Sequence, residues 1–369
     1  MPTAESLIGT AARAADLLLA HQWKVWFWGD SIGLEGLLDA AELTGQSKYA
    51  AYVHGLLKGW IAREGCRSEF DYTAPGVALL RLFEQTRDAA LLEAARRHAA
   101  YLLQFRRTKA GAYLRYENAA LELLPELPPD HPNASASMSR EVVDGGPCVF
   151  VDCVHFDGPF FAKLYQVTQE DIFLEHALEN IYSQIELLYD PGERLFHHFW
   201  IERTGRANGV LWARGNGWGL LGIALTLEAL GPQAPRTAQL AGLLRDGIIR
   251  LAGLQDPSGA WHTILTDPDS YLEASTAAFF TDIICRAVEL NVVPAGEFAS
   301  TVHSAMRYLL SQVREDGALE NVSYETFPST RPEHYRSMPR GAVVPWGQGP
   351  LLAAMRSYSR VFGWENAAG

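Results

Sequence analysis

Cysteine is scarce in this 369-residue chain, and the four present, Cys66, Cys148, Cys153 and Cys285, are scattered. Cys148 and Cys153 lack the paired spacing of a zinc site and no redox pair occurs, so buried free thiols are expected rather than a disulfide framework. Basic charge is also short: 31 Lys and Arg against 43 Asp and Glu leave a net charge of −12. Nucleic acid is thereby excluded as a partner, because phosphate neutralisation needs a basic surface. No run is long and apolar enough to span a membrane. The N-terminus has no basic region followed by an apolar one, so no signal peptide is expected and a cytoplasmic location is the default, with a processed secreted form left open. The chain also lacks a Gly-x-Gly-x-x-Gly turn, a P-loop, a nucleophile-elbow serine and a His-x3-His array. Neither a nucleotide cofactor nor a metal is therefore expected, and acid–base chemistry without a cofactor remains.

What the chain does have is apolar residues, 48% of the total, and ten tryptophans. The apolar positions recur at helical spacing. Residues 11–19 and 31–43 open the pattern, which then alternates between two kinds of helix. Charged, Ala- and Leu-rich helices are predicted at 46–60, 88–105, 170–188, 235–254 and 295–313. Apolar, Gly-containing helices are predicted between them at 75–84, 157–166, 217–230, 276–290 and 350–361. A polar-faced helix suits an outer layer and an all-round apolar one an inner layer, in a repeat of about sixty residues. The expected architecture is an all-α, double-layered helical barrel built as one domain, 1–369. Turn signals ahead of 195–199, 260–264 and 318–322 predict short β-hairpins at one rim. The proline-rich stretch 121–142 is expected to be a surface insertion.

The densest chemistry lies in Phe196-His197-His198-Phe199-Trp200 and Arg206-Ala207-Asn208-Gly209-Val210-Leu211-Trp212-Ala213-Arg214-Gly215-Asn216-Gly217-Trp218. Indole faces stack on sugar rings, guanidinium groups fork onto carboxylates, and amides and imidazoles reach hydroxyls. A second segment, Phe150-Val151-Asp152-Cys153-Val154-His155-Phe156-Asp157-Gly158-Pro159, sets Asp152 among apolar neighbours. Such a carboxylate is either a helix cap or a catalytic acid with a raised pKa. Asp157, just before Gly158-Pro159, is the better cap candidate. Asp71, ahead of Pro75-Gly76, is a turn former or a second acid on the same rim. Trp26-Phe27-Trp28-Gly29-Asp30 adds aromatics at another inner helix start, with Asp30 a cap or an acid. His54, His98, His176 and His303 fall within helical patterns and are expected at the surface.

In this order the segments resemble the unsaturated rhamnogalacturonyl hydrolases, glycoside hydrolase family 105, and more distantly the unsaturated glucuronyl hydrolases of family 88. The markers are Asp71-Tyr72-Thr73-Ala74-Pro75-Gly76 with the following Leu79–Thr86 run, Val151-Asp152 through Phe161, and Trp212 through Trp218. Tyr271-Leu272-Glu273-Ala274-Ser275 and Gly347-Gln348-Gly349-Pro350-Leu351-Leu352 complete the set. The resemblance implies an (α/α)6 barrel with its site at one end of the inner helices. It implies an acidic oligosaccharide substrate with a 4,5-unsaturated uronic acid at the non-reducing end, as a polysaccharide lyase leaves. The implied reaction protonates the vinyl-ether double bond and adds water at the neighbouring carbon. It also implies Asp152 as general acid/base with Asp71 as a second acid. Trp212, Arg214, Trp218 and His197, or else His198, match substrate-contacting positions; Asn216, Trp28 and Phe150 complete the expected substrate-binding set. Phe150 stands where many members have tryptophan, and Asn216 replaces a more usual apolar residue. Alternatives are an unsaturated glucuronyl hydrolase acting on ulvan or glycosaminoglycan fragments, a sugar epimerase, and a non-catalytic carbohydrate-binding protein on the same barrel.

Overall fold

Helical periodicity becomes two concentric layers of helices. The computed structural model describes residues 4–63, 75–115, 146–234, 236–341 and 343–364; Asp71, Cys66 and the expected insertion at 121–142 lie outside them. The outer helices are α1 (Ala4–Leu19), α3 (Ser47–Ala62), α5 (Ala89–Leu102), α7 (Asp171–Leu188), α9 (Ala238–Ala252) and α11 (Ala295–Gln312). The inner ones are α2 (Trp28–Thr44), α4 (Gly76–Thr86), α6 (Asp152–Thr168), α8 (Ala213–Leu230), α10 (Ala274–Glu289) and α13 (Pro345–Phe362); α12 (Pro332–Arg336) is a short turn of helix on the rim. Each inner helix packs on the next, and α13 packs back on α2, so the inner ring closes. This is the predicted (α/α)6 barrel.

The two layers differ as their sequences require. An outer helix buries one stripe: α3 buries Tyr49, Val53 and Leu57 at four-residue steps. An inner helix is enclosed on nearly every side, as α8 is from Ala213 to Ala224. Glycine lets the inner helices approach. A Cβ at Gly36 would lie 2.4 Å from the Cα of Gly349, and one at Gly222 would lie 2.2 Å from the carbonyl oxygen of Val154. Neither space admits a methyl group, so α2–α13 and α8–α6 contacts depend on these residues.

Strands are few and short among the described residues. β1 (Cys148–Phe150), β4 (Phe199–Ile201) and β5 (Arg206–Ala207) form one antiparallel sheet in the order β1-β4-β5. β2 (Tyr189–Asp190) pairs with β3 (Leu195–Phe196), and β6 (Trp261–His262) with β7 (Leu272–Glu273). The third expected hairpin, around 318–322, shrinks to an isolated bridge between Val313 and Leu319.

Several inner helices begin before their predicted starts. α6 begins at Asp152 rather than 157, with Pro159 inside it. Asp157 is consequently no cap: it is fully buried and paired with Arg115 at 3.0 Å, with Gln184 also donating to it. Asp30 is likewise inside α2, yet its carboxylate accepts the backbone N–H groups of Lys24 and Val25 at 2.6 and 3.0 Å. His98, expected at the surface, is buried against Trp26, with ring centroids 4.1 Å apart.

At the C-terminal end of the inner ring, charged side chains surround a cavity of about 340 Å3. Arg81 meets Asp39 at 2.7 Å, Arg286 meets Asp282 and Glu228 at 2.8 and 2.7 Å, and Arg356 meets Glu42 at 2.9 Å. Burial would raise the Asp39 pKa, but the guanidinium groups of Arg81, Arg356 and Arg286 together hold it below its ordinary value. Paired charges thus line this end.

Candidate active site

The N-terminal turns of the inner helices converge on the opposite rim, where the strands lie. β1 and β4 pair antiparallel with Phe150 opposite Phe199. The Val151 N–H continues this pairing by donating to the carbonyl of His198 at 2.9 Å. The next residue, Asp152, begins α6, so main-chain pairing brings Asp152 and His198 side by side. His198 Nε2 lies 3.7 Å from Asp152 Oδ2.

The Asp152 side chain is 19% exposed. Its Oδ2 is buried with no hydrogen-bond partner among the described residues. Burial pushes its pKa from 3.8 up to about 6, against the opposing effects of its own backbone N–H, Arg214 and His155. Desolvation penalises the ionised form more than these groups favour it. The Arg214 charge favours the ionised form less than burial disfavours it, and it is itself paired within the protein. Its guanidinium is fully buried, with Nη1 3.1 Å from Glu273 Oε1 and 2.7 Å from Ser323 Oγ. Its Nη2 donates to the Tyr324 carbonyl and Thr326 Oγ1, both at 2.9 Å. Glu273 also accepts from the Ser275 hydroxyl and the Ser323 N–H.

The expected fork from Arg214 onto a ligand carboxylate is therefore not available: both terminal nitrogens are spent inside the protein. The residue ties the starts of α8 and α10 to the segment 323–326. Trp212, the N-cap of α8, lies under it, with the guanidinium carbon 4.8 Å from the ring centroid, and packs on His198 at 4.4 Å.

Two more expected contact residues are internal. Trp218 is fully buried among Phe279, His155 and Phe156. Asn216, also fully buried, accepts from the Phe196 N–H and donates to the carbonyls of Phe196 and Trp212, clamping β3 to the start of α8. Asn216 and Trp218 are the fourth and sixth residues of α8, a turn or more below its start at the mouth. Trp28 and Phe150 are half-buried at the rim. Trp28 packs on Trp346 at 4.7 Å and Phe150 on His198 at 5.9 Å.

The two histidines part company, because successive side chains of an extended segment point to opposite sides. His197 Nε2 faces Asp190 at 3.4 Å, whereas His198 faces Asp152. Burial drives the His198 pKa well below its ordinary value, aided by His334 and Arg214, so the ring is neutral. Behind it, Nδ1 lies 2.6 Å from the hydroxyl of Tyr335, which Asn208 also contacts at 3.2 Å. Sequence reasoning missed Tyr335 and Trp346 outright, and named the segments of Asn208 and Glu273 without a role. Tyr335 lies far along the chain in a five-residue helix and no local pattern marks it.

Comparison with known proteins matches Glycosyl Hydrolase Family 88 over residues 5–362. The chain is 28% identical over 333 residues to the unsaturated rhamnogalacturonyl hydrolase YesR of Bacillus subtilis (strain 168), covering 89% of this chain and 88% of that one. A possible member of the GH105 family from Salmonella enterica subsp. enterica serovar Paratyphi A superposes with a TM-score of 0.83 at 23% identity, over 97% of this chain and 94% of that chain. The unsaturated glucuronyl hydrolase of Bacillus sp. GL1 superposes with a TM-score of 0.72 at 17% identity, over 98% of this chain and 97% of that chain. Those likenesses show a shared fold, and with the family match spanning nearly the whole chain, this protein belongs to glycosyl hydrolase family 88.

Proposed function

We propose that the protein removes the 4,5-unsaturated uronic acid from the non-reducing end of lyase-generated oligosaccharides of the rhamnogalacturonan type. The observation that carries the chemistry is Asp152, a rim carboxyl with its pKa raised to about 6 beside a neutral histidine. A group of this kind holds a proton near neutral pH and takes one back as readily, which is what general acid/base catalysis needs. The choice of sugar rests on the likeness to YesR along 89% of the chain.

In the proposed cycle, protonated Asp152 gives its proton to C4 of the vinyl ether. Positive charge develops at C5 and the ring oxygen, and water adds at C5 while losing its proton to the Asp152 carboxylate. The hemiketal so formed collapses and releases the remaining oligosaccharide. No proton is gained or lost over the cycle, so one carboxyl suffices as acid and then base; Asp71 is the proposed second acid. Trp28 and Phe150, both half-buried at the rim, supply aromatic surface around the sugar, with the buried Trp212 packed behind His198. The uronate carboxylate meets the positive ends of the inner helices, whose first N–H groups face the rim. Arg214 acts through Glu273 by holding these helix starts in place.

The test follows the ultraviolet absorbance of unsaturated disaccharides made by lyases from rhamnogalacturonan, glucuronyl polymers and ulvan. Hydration of the double bond abolishes the absorbance. Loss of signal with the rhamnogalacturonan set supports the proposal, loss with another set alone corrects the sugar, and no loss with any set overturns the reaction.

A further inference from the structure

We propose that Tyr335 is a positioning residue that, with Asn208, holds His198 in the tautomer bearing its proton on Nε2. His198 then presents an N–H rather than a lone pair to Asp152. The inference rests on the acid role given to Asp152 above and follows from hydrogen-bond accounting in a closed pocket. His198, Asn208, Ser329 and Tyr335 are all buried, so no bulk solvent fills an unmet valence.

Asn208 can be oriented first. Its Oδ1 accepts from the backbone N–H groups of His198, Val210 and Phe199 at 3.1, 3.4 and 3.5 Å, which leaves its NH2 pointing away from them. That NH2 donates to the Ser329 carbonyl at 2.9 Å and to the Tyr335 oxygen at 3.2 Å. The Ser329 N–H approaches the same oxygen at 3.4 Å. A phenol oxygen accepts about two hydrogen bonds and donates one. With two donors already aimed at it, an N–H from His198 would be a third. The phenol proton must then go either to the Ser329 carbonyl at 3.1 Å or to His198 Nδ1 at 2.6 Å. The carbonyl, with a second lone pair, could still accept, but Nδ1 is the nearer acceptor. The phenol therefore donates to Nδ1, and the ring proton sits on Nε2, 3.7 Å from Asp152 Oδ2.

This tautomer matters to the acid. A lone pair on Nε2 would compete for the Asp152 proton and hold it away from the sugar. An N–H there cannot; it leaves the proton for Oδ1 and strengthens its contact with Oδ2 as negative charge develops. The charged and titratable groups around the ring are Asp152 from α6, Arg214 from α8, and His334 and Tyr335 from α12. Arg214 and His334 both oppose a positive charge on the ring, so His198 stays neutral and its effect is set by tautomer.

The test is nitrogen NMR of the ligand-free protein carrying 15N-labelled histidine, from about pH 5 to about pH 8, with the His198 signals identified by their loss in His198→Gln. The expected wild-type spectrum has Nδ1 unprotonated, Nε2 protonated and no titration in this range. Tyr335→Phe is expected to mix the tautomers and lower kcat about tenfold with KM nearly unchanged, the worth of one hydrogen bond made in the transition state. His198→Gln, which keeps an N–H near the Nε2 position, is expected to retain more kcat than His198→Ala. An Nδ1–H tautomer in the wild type overturns the assignment whatever the substrate. The expected tautomer with kcat unchanged in Tyr335→Phe overturns its use in catalysis. Absence of turnover by the wild type on every unsaturated disaccharide would instead refute the proposed function, and the spectrum would still decide the tautomer.

Discussion

Replacing Asp152 by Asn should inactivate the enzyme and at the same time stabilise the fold, by an amount that depends on pH. The native protein raises this carboxyl from 3.8 to about 6. Between those values the native state keeps a proton that the unfolded chain has released. Stability then falls as pH rises through the interval, and the whole loss is present above about pH 6. At about 1.4 kcal/mol per pH unit this amounts to about 3 kcal/mol. Because the side chain is 19% exposed, part of the penalty is relieved by solvent, and about 1–3 kcal/mol is the expected gain. Asparagine has the same shape and no charge at any pH. Urea denaturation of wild type and Asp152→Asn at about pH 4, 6 and 8 should give curves that coincide at the lowest pH and separate progressively above it, with the variant more stable. Turnover in the variant should drop at least about a thousandfold. A stability difference that does not change with pH, or a wild type more stable at pH 8, would show that the carboxyl is not destabilised by its burial and would remove the basis for its role as an acid.

The same carboxyl should set the alkaline limb of kcat/KM, with activity falling above about pH 6 as Asp152 loses its proton in the free enzyme; a profile flat to pH 8 would contradict this. Glu273→Ala should cost about 3–5 kcal/mol, because it strands the buried Arg214 charge, and Arg214→Met combined with Glu273→Leu should cost less than Glu273→Ala alone; chemical denaturation of the three variants decides. His197→Ala should leave kcat within about twofold of wild type while His198→Ala lowers it about a hundredfold, since only His198 faces Asp152; steady-state rates on one unsaturated disaccharide separate them. Gly36→Ala should destabilise by at least about 1–3 kcal/mol, read as a lowered denaturation midpoint, because its methyl would meet the Gly349 backbone.

The helical barrel was legible because each layer has its own apolar period. A one-faced stripe such as Tyr49, Val53 and Leu57 marks an outer helix, and unbroken apolar and glycine runs such as 217–230 mark an inner one. The helix starts were less legible. Asp152, Trp212 to Asn216 and Pro345 to Gly349 interrupt the period because those first turns form the rim. A polar residue there signals the site rather than a break in the helix. Asp152 could be singled out from its apolar neighbours, since burial by adjacent side chains is local information.

What the sequence by itself determined is the layering of the helices into a double-layered barrel, which follows from residue type at short range, and with it Asp152 as a candidate, a cap or an acid, among apolar neighbours. Only the tertiary structure decided how the polar side chains divide between ligand and protein. Arg214 is bonded to Glu273 across 59 residues and to Ser323 across 109, and His198 to Tyr335 across 137. Hydrogen bonds are directional and short-ranged, so whether a buried arginine or histidine is free to act depends on partners that the chain brings in from far along its length. Composition near the residue cannot reveal them, and that is why Arg214 looked like a ligand contact and Tyr335 like nothing at all.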